Sequence, residues 1–188
     1  MSRDILNPKY WRQRLDQAKA AREVHRAIFV TTSEKWNEIE KVHKDQLAKI
    51  INPTDSILDV GCGWGRLLSL LPSTWEGQYV GVDLSPDFIR MAQNAFFHST
   101  KLRLHAFPFL NPQFVLGDML DLRTFQQLSQ YQTNGKFDWA VMISFRPMVI
   151  RELGIEKWEI IKKRVATLTK NLLYLEYDPK VGAEIETS

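Results

Sequence analysis

The stretch Ile57-Leu58-Asp59-Val60-Gly61-Cys62-Gly63-Trp64-Gly65 sets the fold expected of this 188-residue chain. A short apolar run stops at a loop that holds three of the chain's nine glycines within five positions. An apolar segment, Arg66 to Leu71, follows at once and is closed by Pro72. Run, loop and segment read as strand, turn and helix. An ordinary tight turn needs one glycine. Three of them open backbone angles closed to other residues and let a ligand approach the main chain. The first N–H groups of the following helix have no partner within it.

The same unit recurs downstream. Tyr79 to Asp83 is a second strand, and Ser85-Pro86-Asp87 opens a helix with Ser85 as its cap and Pro86 in its first turn. Phe114 to Leu116 is a third strand, Thr124 to Tyr131 a short helix and Phe137 to Ile143 a fourth strand. Glu156 to Thr169 is a helix and Leu172 to Glu176 a fifth strand, while Lys101 to Pro112 reads as a connection. Alternating β and α with continuous apolar strands predicts an α/β fold. Its sheet is doubly wound, mainly parallel, of about five strands, with helices on both faces. The segment before it reads as helical. Pro8 starts one helix, and Thr31 with Glu34 at capping-box spacing starts another. His43 falls among polar residues of that second helix and is expected on its solvated side. One domain over 1–188 is expected, with a helical N-terminal segment at 1–52, an α/β core at 53–179 and a tail at 180–188.

Composition excludes several classes. The net charge of +3 is too small to point to nucleic-acid binding, which asks for Lys and Arg clustered on one face. No stretch approaches the roughly 18 apolar residues of a membrane span, and the start lacks a signal-peptide core. A cytoplasmic protein with no membrane partner is therefore expected. The single cysteine, Cys62, excludes an internal disulfide and a multi-cysteine metal site. His25, His43, His98 and His105 pair with nothing at a motif spacing, so no metal is expected.

Ligands of doubly wound sheets bind beyond the carboxyl ends of the strands. Three consecutive strand ends carry acids here: Asp59, Asp83, and Asp118 in Gly117-Asp118-Met119. Asp83 suits two ribose hydroxyls, or else caps the next helix. Asp118 suits an exocyclic amine, with the Met119 backbone at an adenine edge, or else closes a turn. A dinucleotide site asks for G-x-G-x-x-G, with pyrophosphate on the helix. Here the third glycine comes one residue early, Arg66 stands in its place, and an acid at Asp59 suits a cation better than a pyrophosphate.

These motifs carry a resemblance. Ile57 to Gly65 resembles motif I of class I S-adenosylmethionine (SAM)-dependent methyltransferases. Val80-Gly81-Val82-Asp83-Leu84-Ser85 resembles their second-strand motif, and Leu116-Gly117-Asp118-Met119 their adenine-contacting motif. Order and spacing agree from Ile57 to Pro147, and element order to about Pro179. Tyr10-Trp11 is similar to a pair in small bacterial and phage-type members. The resemblance implies a Rossmann-like fold, SAM as cofactor and S-adenosylhomocysteine (SAH) as its product. It implies that Asp59 and the loop Gly61, Cys62, Gly63 and Gly65 hold the methionine part. Asp83 would take the ribose, with Leu84 beside it in the cofactor site, and Asp118 and Met119 the adenine. Ser144 is a further cofactor contact. Cys62 then packs as a small buried residue rather than a nucleophile.

The acceptor side is less informative. Relatives that methylate amino groups often carry Asn-Pro-Pro-Tyr or Asp-Pro-Pro-Tyr after the fourth strand, and those that methylate cytosine carbon a Pro-Cys. This chain has Ile143-Ser144-Phe145-Arg146-Pro147 there. Two catalytic candidates remain. Arg146 suits a carboxylate or phosphate of the acceptor, or else a surface ion pair. Glu176 suits a base or acceptor ligand, or else a solvated strand end. Tyr10, Trp11, His25 and Arg26 are candidates for a lid, though Trp11 equally suits simple packing. Methyl transfer depends on alignment, and needs a base only where the acceptor must lose a proton. Transfer to a small-molecule acceptor at O or N by in-line displacement is expected, with nucleic acid and protein acceptors left open. The alternatives are a non-catalytic SAM-binding module or partner subunit, and an NAD-dependent oxidoreductase. Class I relatives usually end in a helix and a two-strand hairpin. Here the hairpin is expected to be missing, with Val181 to Glu186 at most one short strand. The apolar edge at Leu172 to Leu175 then needs cover from the tail, from the N-terminal helices or from a second copy in a homodimer.

Overall fold

β1 (Ile57–Val60) is buried at every position, as a strand covered on both faces must be. It pairs in parallel with β2 (Tyr79–Asp83) on one side and β4 (Phe137–Ile143) on the other. β3 (Gln113–Leu116) extends the sheet beyond β2, and β5 (Thr169–Leu175) beyond β4, both parallel. The full order is β3-β2-β1-β4-β5-β6, with β6 (Ala183–Thr187) antiparallel to β5. β1 is thus the switch point, flanked by strands from opposite halves of the chain. The computed structural model describes residues 5–20, 33–98, 111–132, 135–176 and 183–187.

Side chains alternate across the strands, and each face meets its own helices. Leu172 and Tyr174 join Leu58, Val60 and Met142 against α5 (Leu122–Ser129), α6 (Phe145–Leu153) and α7 (Ile155–Leu168), through Leu128, Val149, Trp158 and Ile161. Leu173 and Leu175 join Val141 on the other face, against Leu47 of α2 (Ser33–Ile50) and Leu67, Leu68 and Leu70 of α3 (Arg66–Leu70). Each such leucine contributes about 1.5–3 kcal/mol by leaving water. α1 (Pro8–Ala20) packs Leu15 and Ala18 on Phe88 of α4 (Pro86–His98), with Trp11 and Trp64 alongside. Arg12 Nε donates to Asp87 Oδ2 at 2.7 Å across the same contact.

Three features depart from the sequence expectation. The sheet has six strands where about five were expected, because the tail itself forms β6. Of the three covers expected for the β5 edge, it is this single antiparallel strand of the tail that lies there. A helix not expected from the sequence, α6, starts right after β4, with Pro147 in its first turn, where a missing N–H costs nothing; Gly154, at φ 89°, ends that helix. His43 is buried rather than solvated. Residues 101–110 of the Lys101–Pro112 connection, and Thr31, lie outside the described residues.

Candidate active site

The carboxyl ends of four strands open on one cavity. Gly61 and Gly63 line it from the β1 loop, Asp83 and Leu84 from the end of β2, Asp118 and Met119 after β3, and Ser144 after β4. α6 adds Met148 and Val149, and the N-terminal segment adds Ile5, Leu6 and Trp11.

The glycine loop is shaped by left-handed turns at Gly61 (φ 75°), Gly63 (φ 53°) and Gly65 (φ 80°). A Cβ on Gly61 would stand 2.6 Å from Cδ2 of Phe145, so the aromatic ring lies directly on the bare glycine. Gly63 N donates to Asp83 Oδ2 at 2.9 Å and Ser85 N to Oδ1 at 2.8 Å. Each carboxylate oxygen therefore has one fixed backbone donor and keeps a lone pair for a ligand. Burial pushes the Asp83 carboxyl up to about 6, against the pull of those two N–H groups. Gly117 N donates to Asp83 O at 3.0 Å and ties the β2 and β3 ends together. Asp118 Oδ1 accepts from Leu120 N at 2.8 Å, which holds its carboxylate at the cavity wall.

Ser144 is the one non-glycine residue with positive φ among those described, at φ 54°, ψ 19°. That conformation costs roughly 1–2 kcal/mol. Its N–H is held by Leu175 O at 2.8 Å, while its buried Oγ has no partner. Strain and an orphaned hydroxyl coincide where the cavity meets β4.

The cavity does not take in every residue singled out above. Asp59 pairs in register with Gly81 and Val141, inside the sheet rather than beyond it. Its Oδ2 accepts from Tyr79 Oη at 2.6 Å, and burial pushes its carboxyl up to about 7. Cys62 is buried, and burial, with Asp59 adding to it, drives its thiol upward. Gly65 turns the chain into α3 against Phe114. Arg146 and Glu176 stand together at the other side of the β4 and β5 ends. Arg146 reaches Glu176 at 3.2 Å and Glu184 at 2.7 Å, and its guanidinium lies over the Tyr174 ring. Arg146 therefore secures the tail strand instead of facing the cavity. Of the lid candidates, Trp11 lines the cavity and also packs on Phe88, with ring centroids 6.0 Å apart. His25 and Arg26 lie outside the described residues.

Sequence reasoning missed a buried polar cluster beneath the glycine loop. Arg66 is stacked on Trp36 at 4.2 Å and contacts Glu40 at 3.4 Å and His43 at 3.3 Å. Trp36, Glu40 and His43 follow one another at i, i+4 and i+7 and share one face of α2. That spacing, beside an arginine in an apolar helix, was the available signal.

The family model described as a methyltransferase domain matches residues 57–154, which hold all four strand ends of the cavity. The chain belongs to this family. It is the class I superfamily that the strand-end motifs resemble, whose cofactor is SAM. Cyclopropane-fatty-acyl-phospholipid synthase of Escherichia coli (strain K12) is 32% identical over 66 residues, 31% of this chain and 17% of that protein. The methyltransferase chain therefore matches only a small part of that relative's length. The PH0226 protein from Pyrococcus horikoshii OT3 shares its fold at a TM-score of 0.53 and 23% identity, over 77% of this chain and 58% of that one. Magnesium protoporphyrin IX methyltransferase from Synechocystis PCC 6803, solved with bound SAM, gives a TM-score of 0.49 and 19% identity, over 78% and 64% of the two chains. The cavity fits that cofactor in its donor chemistry. It offers the Asp83 carboxylate, held by two backbone N–H groups, and apolar side chains at Leu84 and Met119.

Proposed function

We propose that this chain transfers a methyl group from SAM to a small-molecule acceptor, at oxygen or nitrogen. One observation carries this: the β1 glycine loop, Asp83 and Asp118 face a single cavity from three adjacent strand ends. In this proposal Asp83 accepts the ribose hydroxyls, Leu84, Asp118 and Met119 hold the adenine, and Gly61, Gly63 and the main chain of Ser144 flank the methionine part. Asp59, Cys62 and Gly65 act one layer back by shaping the loop. The bound cofactor supplies a methyl group on positive sulfur, open to in-line displacement. The protein's part is proximity and alignment, worth roughly 7–11 kcal/mol at best. Arg146 and Glu176 act by holding the β4 and β5 ends beside Ser144.

The test is calorimetric titration with SAM, SAH and NAD, followed by labelled-methyl transfer to acceptor pools. Binding of SAM and SAH but not NAD, with turnover, is expected. NAD binding alone would overturn the assignment. One observation favours a second proposal, a SAM-binding module without turnover. The two catalytic candidates, Arg146 and Glu176, pair with each other outside the cavity lining. Tight SAM binding with no transfer to any pool would decide for it.

A further inference from the structure

Once the cofactor roles above are assigned, the rest of the cavity is apolar. Apart from Asp83, Asp118 and Ser144, its described lining residues are hydrocarbon, aromatic, thioether or glycine. Trp11 spends its only polar group, Nε1–H, on Ile5 O at 2.9 Å, so it contributes only its aromatic surface. Ile5 is buried beside it, while Leu6 remains 39% exposed and lines the cavity at the solvent side. Phe145 and Met148 continue this wall on α6.

Charge points the same way. The two ionisable side chains among the described lining residues are both carboxylates, and no described lysine, arginine or histidine joins them. Arg146, next to Phe145 in sequence, is occupied by Glu176 and Glu184, and Arg12, next to Trp11, by Asp87. With both carboxylates taken by the cofactor, no described cationic side chain is left in the lining to pair with an anionic acceptor. The uncharged Ser144 Oγ, buried and unpartnered, is left as one hydrogen-bonding group for a neutral polar atom.

We propose that the acceptor is an uncharged, apolar molecule, an alkyl or aryl body carrying one hydroxyl or neutral nitrogen. It binds against Ile5, Leu6, Trp11 and Met148 with its polar atom toward Ser144. This rests on the methyltransferase assignment above, and the experiment separates the two. SAH is titrated first by calorimetry. The SAH-loaded protein is then titrated with 1-butanol, 1-hexanol and 1-octanol as probes, and with hexanoate. Affinity is expected to rise about fourfold per methylene, the factor that follows from burying a CH₂. Hexanoate is expected to bind at least tenfold more weakly than 1-hexanol. Leu6→Asp should retain SAH binding and lose the chain-length trend. Leu6→Met, which keeps an apolar side chain, should restore it, and Ser144→Ala should weaken 1-hexanol a few-fold. SAH binding with no chain-length trend, or with hexanoate matching hexanol, overturns the proposal. The same trend in Leu6→Asp as in the parent also overturns it, by locating the alcohols elsewhere. Absence of SAH binding in the first titration would instead bring down the methyltransferase assignment, and this inference with it.

Discussion

The imidazole Nε2 of His43 lies 2.9 Å from the main-chain oxygen of Glu176, across 133 positions of sequence. On its other side Nδ1 is 3.3 Å from Arg66 Nη2. A guanidinium only donates, so Nδ1 accepts and Nε2 carries the proton. The ring is therefore neutral, and burial, with Arg66 adding to it, holds its pKa near 4. An unfolded chain takes up this proton near pH 6.5. His43's contribution is thus complete above about pH 6.5 and is lost as pH falls toward 4, by about 3 kcal/mol at most. Asp59 and Asp83, raised to about 7 and 6, act with the opposite sign, so the comparison must be between variants. His43→Gln keeps a side-chain N–H donor without a titrating ring. Urea unfolding should show it losing less stability than the parent between pH 6.5 and 4.5. Parallel losses would remove His43 from the account. His43→Phe should cost about 1–3 kcal/mol at pH 7, the range for leaving buried partners unsatisfied.

SAH binding should depend on pH through Asp83. Its carboxylate must be ionised to accept two hydroxyls, and burial places its titration at about 6. Affinity is expected to rise from pH 5 to 7 with release of a proton, then level off. Asp83→Asn should flatten that rise and weaken binding by about 1 kcal/mol or more. Calorimetry in buffers of different ionisation heat measures both. A parent profile that is flat across pH 5–7 would contradict the assignment.

Gly61→Ala should impair folding and binding together. The new methyl would meet Phe145 at 2.6 Å, on a backbone at φ 75°. Pairing it with Phe145→Leu relieves the contact but not the backbone strain. The double variant should recover part of the loss in thermal unfolding, leaving roughly 1–2 kcal/mol for the left-handed conformation. Full recovery would show that the ring alone demands the glycine.

Stopping the chain after Pro179 removes β6. It strips the cover from Leu172 to Leu175 and takes Glu184 and Glu186 from Arg146 and Lys162. An apolar sheet edge left open invites pairing with another chain. Light scattering should show the shortened protein self-associating at concentrations where the parent does not. Unchanged mass would mean that β6 is dispensable as a cover.

The central strands β1, β2 and β4 were legible because a strand covered on both faces must be largely apolar, and the edge strand β3 and the second half of β5 because each keeps a short apolar run. The acids at their ends stood out against those runs. Whether each acid reaches the ligand was not legible. Asp59 and Asp83 look alike in sequence, but Asp59 is paired within the sheet and Asp83 closes its strand. β6 was faint because Ala183-Glu184-Ile185-Glu186-Thr187 alternates, as a half-solvated edge strand does, over only five residues. α6 was hidden by Pro147, whose position in a first turn is innocuous only once the helix start is known. His43 was misplaced because its partners, Arg66 and the Glu176 carbonyl, are brought to it by tertiary packing.

β1 has neighbours from opposite halves of the chain, so no half of the protein contains the cavity. Asp83 comes from the half that ends with β3, Ser144 from the half that begins with β4. A cofactor held by both would be a non-covalent staple across the seam, its binding energy at once cohesion between the halves. Ligand concentration then sets how firmly the two halves stay together, by mass action rather than by any shift in shape.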